Sequence, residues 1–180
     1  MKIKMHEALE IPEGVNCSIS NNVLNFSKGS INLIRIISDP TITAKVNNGE
    51  LVFECNKGNR NQHKTIKSLV AHIKNIFSGL DEKFVYHLEA CNVHFPMTLK
   101  IEGNKLIINN FLGEKTSRSA NILPGVEVDL KGQKITVSSH DFELAGQTVA
   151  NIEKATKVRN RDRRIFQDGI YLTQRPRRKM

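Results

Sequence analysis

Hydrophobic and polar residues alternate in two similar arrangements along the 180-residue chain. Residues 19–26 and 101–108 each have the pattern of a strand, a short turn containing asparagine and a second strand, with an offset of 82 residues. Residues 46–53 and 130–137 form a second such pair, with an offset of 84 residues. Single hairpins match by chance, but two hairpins in the same order at nearly equal offsets favour an internal duplication.

A helical pattern follows the second hairpin of each half. In the first half, apolar residues at steps of three and four form one stripe, which comprises Ile66, Leu69, Val70, Ile73, Ile76 and Phe77. The corresponding stripe in the second half comprises Phe142, Ala145, Val149, Ile152 and Ala155. Gly79 is suited to ending the first helix, and Ser138 with Asp141 resembles a capping box before the second.

These elements predict an α+β fold that arose by tandem duplication of one unit. Each unit is expected to be a mainly antiparallel sheet covered on one face by an amphipathic helix. We expect an N-terminal unit at residues 1–80 and a C-terminal unit at residues 81–175. Residues 176–180 lack periodicity and are rich in bases, which is typical of a basic tail.

Positive charge is concentrated at the C-terminal end of the chain. The net charge is +9 and the pI is about 9.6. Residues 151–180 contain ten bases and three acids, a net charge of +7, so the other 150 residues contribute only +2. This distribution predicts a surface for a polyanionic partner. The apolar runs are too short for a membrane helix, and the N-terminus lacks an apolar stretch of signal type, which predicts a soluble, cytoplasmic protein.

A basic segment, residues 157–164, directly follows the second predicted helix and contains five cations, Lys157, Arg159, Arg161, Arg163 and Arg164. Arginine binds phosphate oxygens in pairs and stacks on bases, so a nucleic acid is the natural partner. Cations also stabilise a helix C-terminus through its dipole, but that accounts for one or two of the five. Asn160, Gln167 and Asp168 could add polar contacts to sugars or bases. Asp168 and Gly169 also favour a turn into a final strand.

Motifs for catalysis are missing from the sequence. It has no glycine-rich phosphate loop, no Gly-x-Ser-x-Gly and no His-Glu-x-x-His. Cys91 and His94 have the spacing of half a zinc site, without a second pair at a suitable distance, and the three cysteines predict reduced thiols. Four carboxylates could surround a metal ion, namely Asp141, Glu143, Asp162 and Asp168. Helix capping is a simpler explanation for Asp141, and pairing with a neighbouring arginine is a simpler explanation for Asp162. We therefore predict no enzyme, no metal and no cofactor.

Longer motifs occur at residues 11–15 (IPEGV), 94–103 (HFPMTLKIEG), 110–115 (NFLGEK), 146–156 (GQTVANIEKAT) and 163–171 (RRIFQDGIY). They resemble ribosomal protein six of the large subunit, archaeal type, and the last two resemble the C-terminal signature of that family. The resemblance covers essentially the whole chain. It also implies the duplicated sheet-and-helix architecture.

This resemblance implies a structural constituent of the large ribosomal subunit that contacts neighbouring ribosomal proteins. It implies binding to the large-subunit rRNA, mainly through the C-terminal unit, near the sarcin–ricin loop where translational GTPases dock. Asn160 is included as a polar contact beside the residues that the resemblance implies. The residues predicted to contact rRNA are Lys157, Arg159, Asn160, Arg161, Arg163, Arg164, Gln167, Asp168, Gly169 and Tyr171. Lys115 and Arg118 are further candidates. The family usually has Gly-Pro-Lys-Gly where this chain has Phe26, Ser27, Lys28 and Gly29, which predicts a minor part for that loop.

Two other functions stay open on the residues alone. A nucleic-acid enzyme could use the carboxylates near the basic segment. A membrane surface could bind the basic tail, although no amphipathic helix with Trp or Phe accompanies those bases. We favour rRNA binding, because it accounts for the arginine-rich segment and needs no catalytic motif.

Overall fold

The computed structural model describes residues 3–47 and 49–176. The chain divides into two compact units, Met1–Asp81 and Glu82–Met180. Of the predicted basic tail, only Pro176 belongs to the described residues, and residues 177–180 lie outside them.

The described part of the first unit contains two three-stranded antiparallel sheets and one helix. The strand orders are β1–β6–β5 and β2–β3–β4. The elements are β1 (Ile3–Glu10), β2 (Asn16–Ser20), β3 (Val23–Lys28), β4 (Ile31–Ile36), β5 (Thr43–Asn47), β6 (Glu50–Gly58) and α1 (Arg60–Asp81).

The second unit repeats this plan within its described residues. Its sheets have the strand orders β10–β9–β8 and β11–β12–β7–β13, and all neighbours are antiparallel. The elements are β7 (Phe84–Cys91), β8 (Thr98–Glu102), β9 (Lys105–Asn109), a 3-10 turn (Phe111–Gly113), β10 (Arg118–Asn121), β11 (Glu127–Lys131), β12 (Lys134–Ser139), α2 (Phe142–Ala155) and β13 (Gly169–Gln174).

The predicted α+β duplication is confirmed by the matching strand orders. The first predicted hairpins are β2–β3 and β8–β9, and the second are β5–β6 and β11–β12. Each unit distributes its strands between two sheets, which periodicity cannot reveal because it does not say which strands pair. The second unit adds β13, which pairs with the side of β7 that β12 leaves free. The basic segment lies between α2 and this extra strand.

Helix α1 begins with a reciprocal cap. The side chain of Asn59 accepts hydrogen bonds from the backbone N–H groups of Asn61 (2.8 Å) and Gln62 (3.4 Å), and the Gln62 side chain accepts one from the Asn59 N–H (3.1 Å). The prediction that Gly79 ends the helix is wrong, because α1 continues to Asp81 and Gly79 is buried within it. Gly79 is therefore an interior residue of α1 and not its C-terminal cap.

Helix α2 begins at Phe142 and is capped by Asp141, whose carboxylate accepts hydrogen bonds from the backbone N–H groups of Glu143 (2.7 Å) and Leu144 (3.3 Å). Asp141 is therefore itself the N-cap, and the predicted capping box that starts at Ser138 is wrong. The neighbouring Ser139 supports the cap, since its hydroxyl accepts from the Asp141 N–H at 3.1 Å. The cap places an anionic side chain at the positive end of the helix dipole.

Each unit has its own hydrophobic core beneath its helix. In α1, the buried residues of the predicted stripe are Ile66, Leu69, Ile73 and Phe77, and in α2 they are Ala145, Val149 and Ile152. Among the described residues, no helix combines the length and apolarity needed to cross a lipid bilayer.

Candidate nucleic-acid interface

The basic segment leaves the C-terminal end of α2 and returns to the sheet as β13. All five of its cations are exposed, whereas Val158 is buried at 7% exposure and fixes the start of the segment in the core. Asn160 adopts a left-handed backbone conformation with φ of 56°, which asparagine tolerates better than most residues. The sequence thus places five cations on one surface segment that is attached at both ends.

A tight turn at Asp162 shapes the middle of the segment. The Asp162 carboxylate accepts a hydrogen bond from the Arg164 N–H at 2.9 Å and pairs with the Arg164 guanidinium at 2.8 Å. The Phe166 N–H donates to the Asp162 carbonyl at 2.9 Å. Hydrogen bonds from the Arg164 side chain and backbone lower the pKa of Asp162. The pairing of Asp162 with a neighbouring arginine is therefore confirmed, and Arg164 is the cation that it partly neutralises.

Arg161 is held by a stack of rings. Its guanidinium carbon lies 4.7 Å from the centre of the Phe166 ring. On Phe166, the His94 ring stacks with a centroid separation of 4.8 Å and an angle of 23° between planes. His94 comes from the loop after β7, so a residue far away in sequence supports this cation.

Asp168 holds the loop that carries His94. Its Oδ1 accepts hydrogen bonds from the backbone N–H groups of Val93 (2.9 Å) and His94 (3.0 Å), and its Oδ2 accepts one from Nδ1 of His94 (2.6 Å). Asp168 is only 2% exposed. Burial alone would raise the pKa of this carboxyl, but the hydrogen bonds from His94 and Val93 outweigh burial and lower it. The ionised carboxylate therefore has a structural role, in which it binds the loop that carries His94.

The strand after Asp168 is tied to the end of α2 by polar side chains. The Ile170 N–H donates to Thr156 Oγ1 at 2.9 Å, and the Leu172 N–H donates to Glu153 Oε1 at 3.1 Å. A Cβ at Gly169 would lie 3.2 Å from the Tyr171 ring, so the absence of a side chain lets this ring lie against the backbone. Gly169 is buried, whereas Tyr171 is 40% exposed.

Two recesses open beside the end of α2. The first, here called the Tyr171 recess, has a volume of about 210 Å³ and is lined by Glu153, Lys154, Thr156, Lys157, Val158, Arg163, Ile170 and Tyr171. The second, of about 360 Å³, is lined by Arg118, Ser119, Lys154, Ala155 and Arg159. Lys154 borders both recesses, so the two form adjoining cationic depressions.

Arg118 is turned toward the protein. Its guanidinium makes two hydrogen bonds to the Glu114 carboxylate (2.6 and 2.7 Å) and one to the Ala155 carbonyl (2.9 Å), and its Cζ lies 4.3 Å from the centre of the Phe111 ring. The Arg118 hydrogen bonds lower the pKa of Glu114. Because Ala155 is the last residue of α2, Arg118 satisfies a carbonyl that the helix leaves free.

Replacing Arg118 by Ala is expected to lower the free energy of unfolding of the second unit by about 2 kcal/mol, because Glu114 and the α2 carbonyl lose a charged hydrogen-bond donor. Both tyrosines of the chain lie in this unit and the chain has no Trp, so tyrosine emission during urea unfolding measures the change. R118K is the matched control and should lose less, since it keeps the charge without the planar fork. An R118A curve equal to wild type would contradict the capping role.

The predicted site residues thus fall into two groups. The exposed group consists of Lys115, Lys157, Arg159, Asn160, Arg161, Arg163, Arg164, Gln167 and Tyr171. Asp168 and Gly169 are buried, and Arg118 is engaged internally. The sequence interpretation did not include Lys154, His94 or Phe166 among the residues of this surface. A helical projection of α2 would have placed Lys154 beside the basic segment. For His94 the sequence holds no local signal, because its partner is 74 residues away.

The carboxylates considered as metal ligands do not converge. No group of three or more His, Cys, Asp or Glu side chains suited to a metal ion occurs within residues 3–47 and 49–176. The aspartates have structural partners instead, since Asp141 caps α2 and Asp168 binds the loop that carries His94.

The prediction of reduced cysteines agrees with the structure. Cys17, Cys55 and Cys91 are free thiols, and burial raises the pKa of Cys17.

Comparison with known proteins identifies the family. The family described as Ribosomal protein L6 matches residues 95–169. Large ribosomal subunit protein uL6 of Methanococcus vannielii is 40% identical over 171 residues, which is 95% of this chain and 94% of that protein. The chain belongs to the ribosomal protein L6 family. The proteins of the same name from Sulfurisphaera tokodaii and Haloarcula marismortui are each 36% identical, over 94% of this chain and 92% and 96% of their own lengths.

Membership of the L6 family confirms the resemblance read from the sequence motifs. It also confirms that the chain is not an enzyme, because L6 is a structural ribosomal protein. The alternative of a nucleic-acid enzyme built on Asp162 and Asp168 is therefore wrong. The two carboxylates have the structural partners described above, Arg164 and His94.

Proposed function

We propose that this L6 protein is a constituent of the large ribosomal subunit in the cytoplasm and binds the large-subunit rRNA through its second unit. The proposed location is near the sarcin–ricin loop, beside the docking region of translational GTPases and neighbouring ribosomal proteins. The observation that carries the proposal is the basic segment, whose five exposed cations lie between α2 and β13.

Two cations of the basic segment, Arg161 and Arg164, are held by neighbouring side chains before any RNA binds. Cations that already have their positions lose less conformational freedom on binding, so more of the electrostatic attraction appears as affinity. Arg161 rests on Phe166, and Arg164 is held by Asp162. Contacts of such cations with phosphates position a protein on RNA, whereas polar groups and rings read bases and sugars.

We assign the predicted residues to two roles. Direct rRNA contacts are proposed for the exposed group, which is Lys115, Lys157, Arg159, Asn160, Arg161, Arg163, Arg164, Gln167 and Tyr171. Asp168, Gly169 and Arg118 are proposed to support that surface from within. Their partners are His94, the Tyr171 ring and the end of α2.

Replacing Arg159 by Ala is expected to lower the magnitude of the log–log salt dependence of rRNA binding by about 1, because one phosphate contact is lost. The measurement is the dissociation constant of a large-subunit rRNA fragment that contains the sarcin–ricin region, over a series of salt concentrations. K45A is the matched control, because Lys45 lies in the first unit and already pairs with Glu54 at 3.2 Å. Equal slopes for wild type, R159A and each further single alanine variant of the segment would refute phosphate binding there.

The ribosomal assignment has a direct test in cells. A tagged wild-type chain is expected to sediment with large subunits and complete ribosomes in a sucrose gradient. A variant with all five cations of the basic segment replaced by Gln should shift toward the top of the gradient, because its main electrostatic attachment is gone. Wild-type protein found only at the top would refute the assignment.

A further inference from the structure

We propose that the Tyr171 recess binds a single unstacked nucleotide of the RNA, with the base on the Tyr171 ring and the phosphate on Lys157 and Arg163. This inference rests on the proposed function, since it names the element of RNA that the same surface takes. It adds a stacking contact that does not depend on salt to the phosphate contacts of the basic segment.

The Tyr171 ring is held in place before any ligand arrives. It lies against Gly169, where a Cβ would be 3.2 Å away, and its hydroxyl donates to the Asp168 carbonyl at 3.4 Å. The strand that carries it is bound to Thr156 and Glu153 at the end of α2. A fixed aromatic ring with 40% exposure provides a stacking surface without the cost of ordering a flexible side chain.

The charges around the recess suit a nucleotide phosphate. Lys154, Lys157 and Arg163 line it, and the single lining acid, Glu153, accepts a hydrogen bond from the Leu172 N–H. The apolar part of the lining includes Val158 and Ile170, which are 7% and 1% exposed and belong to the core. Cationic, aromatic and apolar side chains together are the features that bind an unstacked base and its phosphate.

Size and surroundings favour a nucleotide of a longer strand over a free small ligand. The recess holds about 210 Å³, less than the roughly 300–1,000 Å³ that is typical of pockets for drug-sized molecules. Lys154 also borders the neighbouring recess with Arg159. The backbone of one strand could therefore run from one cationic depression to the next while a single base turns inward.

The experiment compares wild type, Y171L and Y171F for binding to the large-subunit rRNA fragment, and maps photo-crosslinks after ultraviolet irradiation of the wild-type complex. Y171L should bind about tenfold more weakly, because one base–aromatic stack is lost, and its salt slope should stay unchanged. Y171F keeps the ring and should bind within about twofold of wild type. A nucleotide adduct is expected on Tyr171 and not on Tyr86, which is only 5% exposed.

Failure of this inference differs from failure of the proposed function. If the wild type binds the fragment with a steep salt dependence but no adduct forms on Tyr171, or Y171L binds as tightly as wild type, the nucleotide site is refuted while rRNA binding stands. Equal weakening in Y171L and Y171F also refutes it, because the hydroxyl rather than the ring would then matter. If the wild type does not bind the fragment, both proposals fall. Should Y171L not fold, the adduct on wild type decides.

Discussion

Residues 82–180, expressed alone, are expected to bind the rRNA fragment nearly as tightly as the whole chain, and residues 1–81 about 100-fold more weakly. The second unit carries 17 bases and 11 acids, whereas the first carries ten bases and seven acids. Counterion release scales with the number of phosphates neutralised, so the unit with the basic segment should dominate the affinity. The measurement is the dissociation constant of each protein fragment and of the whole chain for the rRNA fragment, at one salt concentration.

Ion pairs are present in both units, so the expected difference rests on the basic segment. The first unit has Lys28–Asp81 (2.6 Å), Lys45–Glu54 (3.2 Å) and Lys67–Glu7 (2.6 Å), and the second has Lys83–Glu127 (2.8 Å) and Arg118–Glu114 (2.6 Å) among others. Each unit also has a separate hydrophobic core, so both fragments are expected to fold.

The matched control is residues 82–180 with the five cations of the basic segment replaced by Gln. This variant should fall to the level of the first unit, because the rest of the second unit is close to neutral. Equal binding by residues 1–81 and 82–180 would contradict the assignment of affinity to the basic segment.

Replacing Asp168 by Ala is expected to lower the free energy of unfolding of the second unit by about 3 kcal/mol, because a charged acceptor of three hydrogen bonds is lost. The backbone N–H groups of Val93 and His94 would lose their acceptor, and the His94 ring would lose its partner. Hydrogen bonds to a charged group contribute about 1.5–3 kcal/mol to stability. Urea unfolding followed by tyrosine emission measures the loss. Asp162, which is exposed, is the matched control, and D162A should change stability far less.

The pH dependence identifies the charge of Asp168 as the cause. Its pKa is lowered in the folded state, so its charge contributes stability that is present above the unfolded-state pKa of about 3.9 and is lost as the pH falls through the lower native value. The stability difference between wild type and D168N should therefore narrow below about pH 4. A difference that stays constant from neutral to acid pH would mean that geometry alone, and not charge, makes Asp168 important.

Much of the fold could be predicted from the sequence because its signals are local. The alternation at residues 19–26 and 101–108 identified hairpins that the structure contains, and the stripe from Ile66 to Phe77 identified the buried face of α1. Helix ends were less well predicted. Gly79 and Ser138 have the residue types of caps, but α1 continues past Gly79 to Asp81, and the N-cap of α2 is Asp141.

For the candidate site, the sequence by itself determined the charge and its position. Five cations within residues 157–164 remain on the surface in the structure, because charged side chains are costly to bury without partners. The roles of Arg118 and Asp168 were decided only by the tertiary structure. Their partners at Ala155 and His94 are 37 and 74 residues away. The sequence pattern of an arginine or aspartate is the same whether it faces RNA or a distant loop, and only the folded chain brings such partners within hydrogen-bond distance.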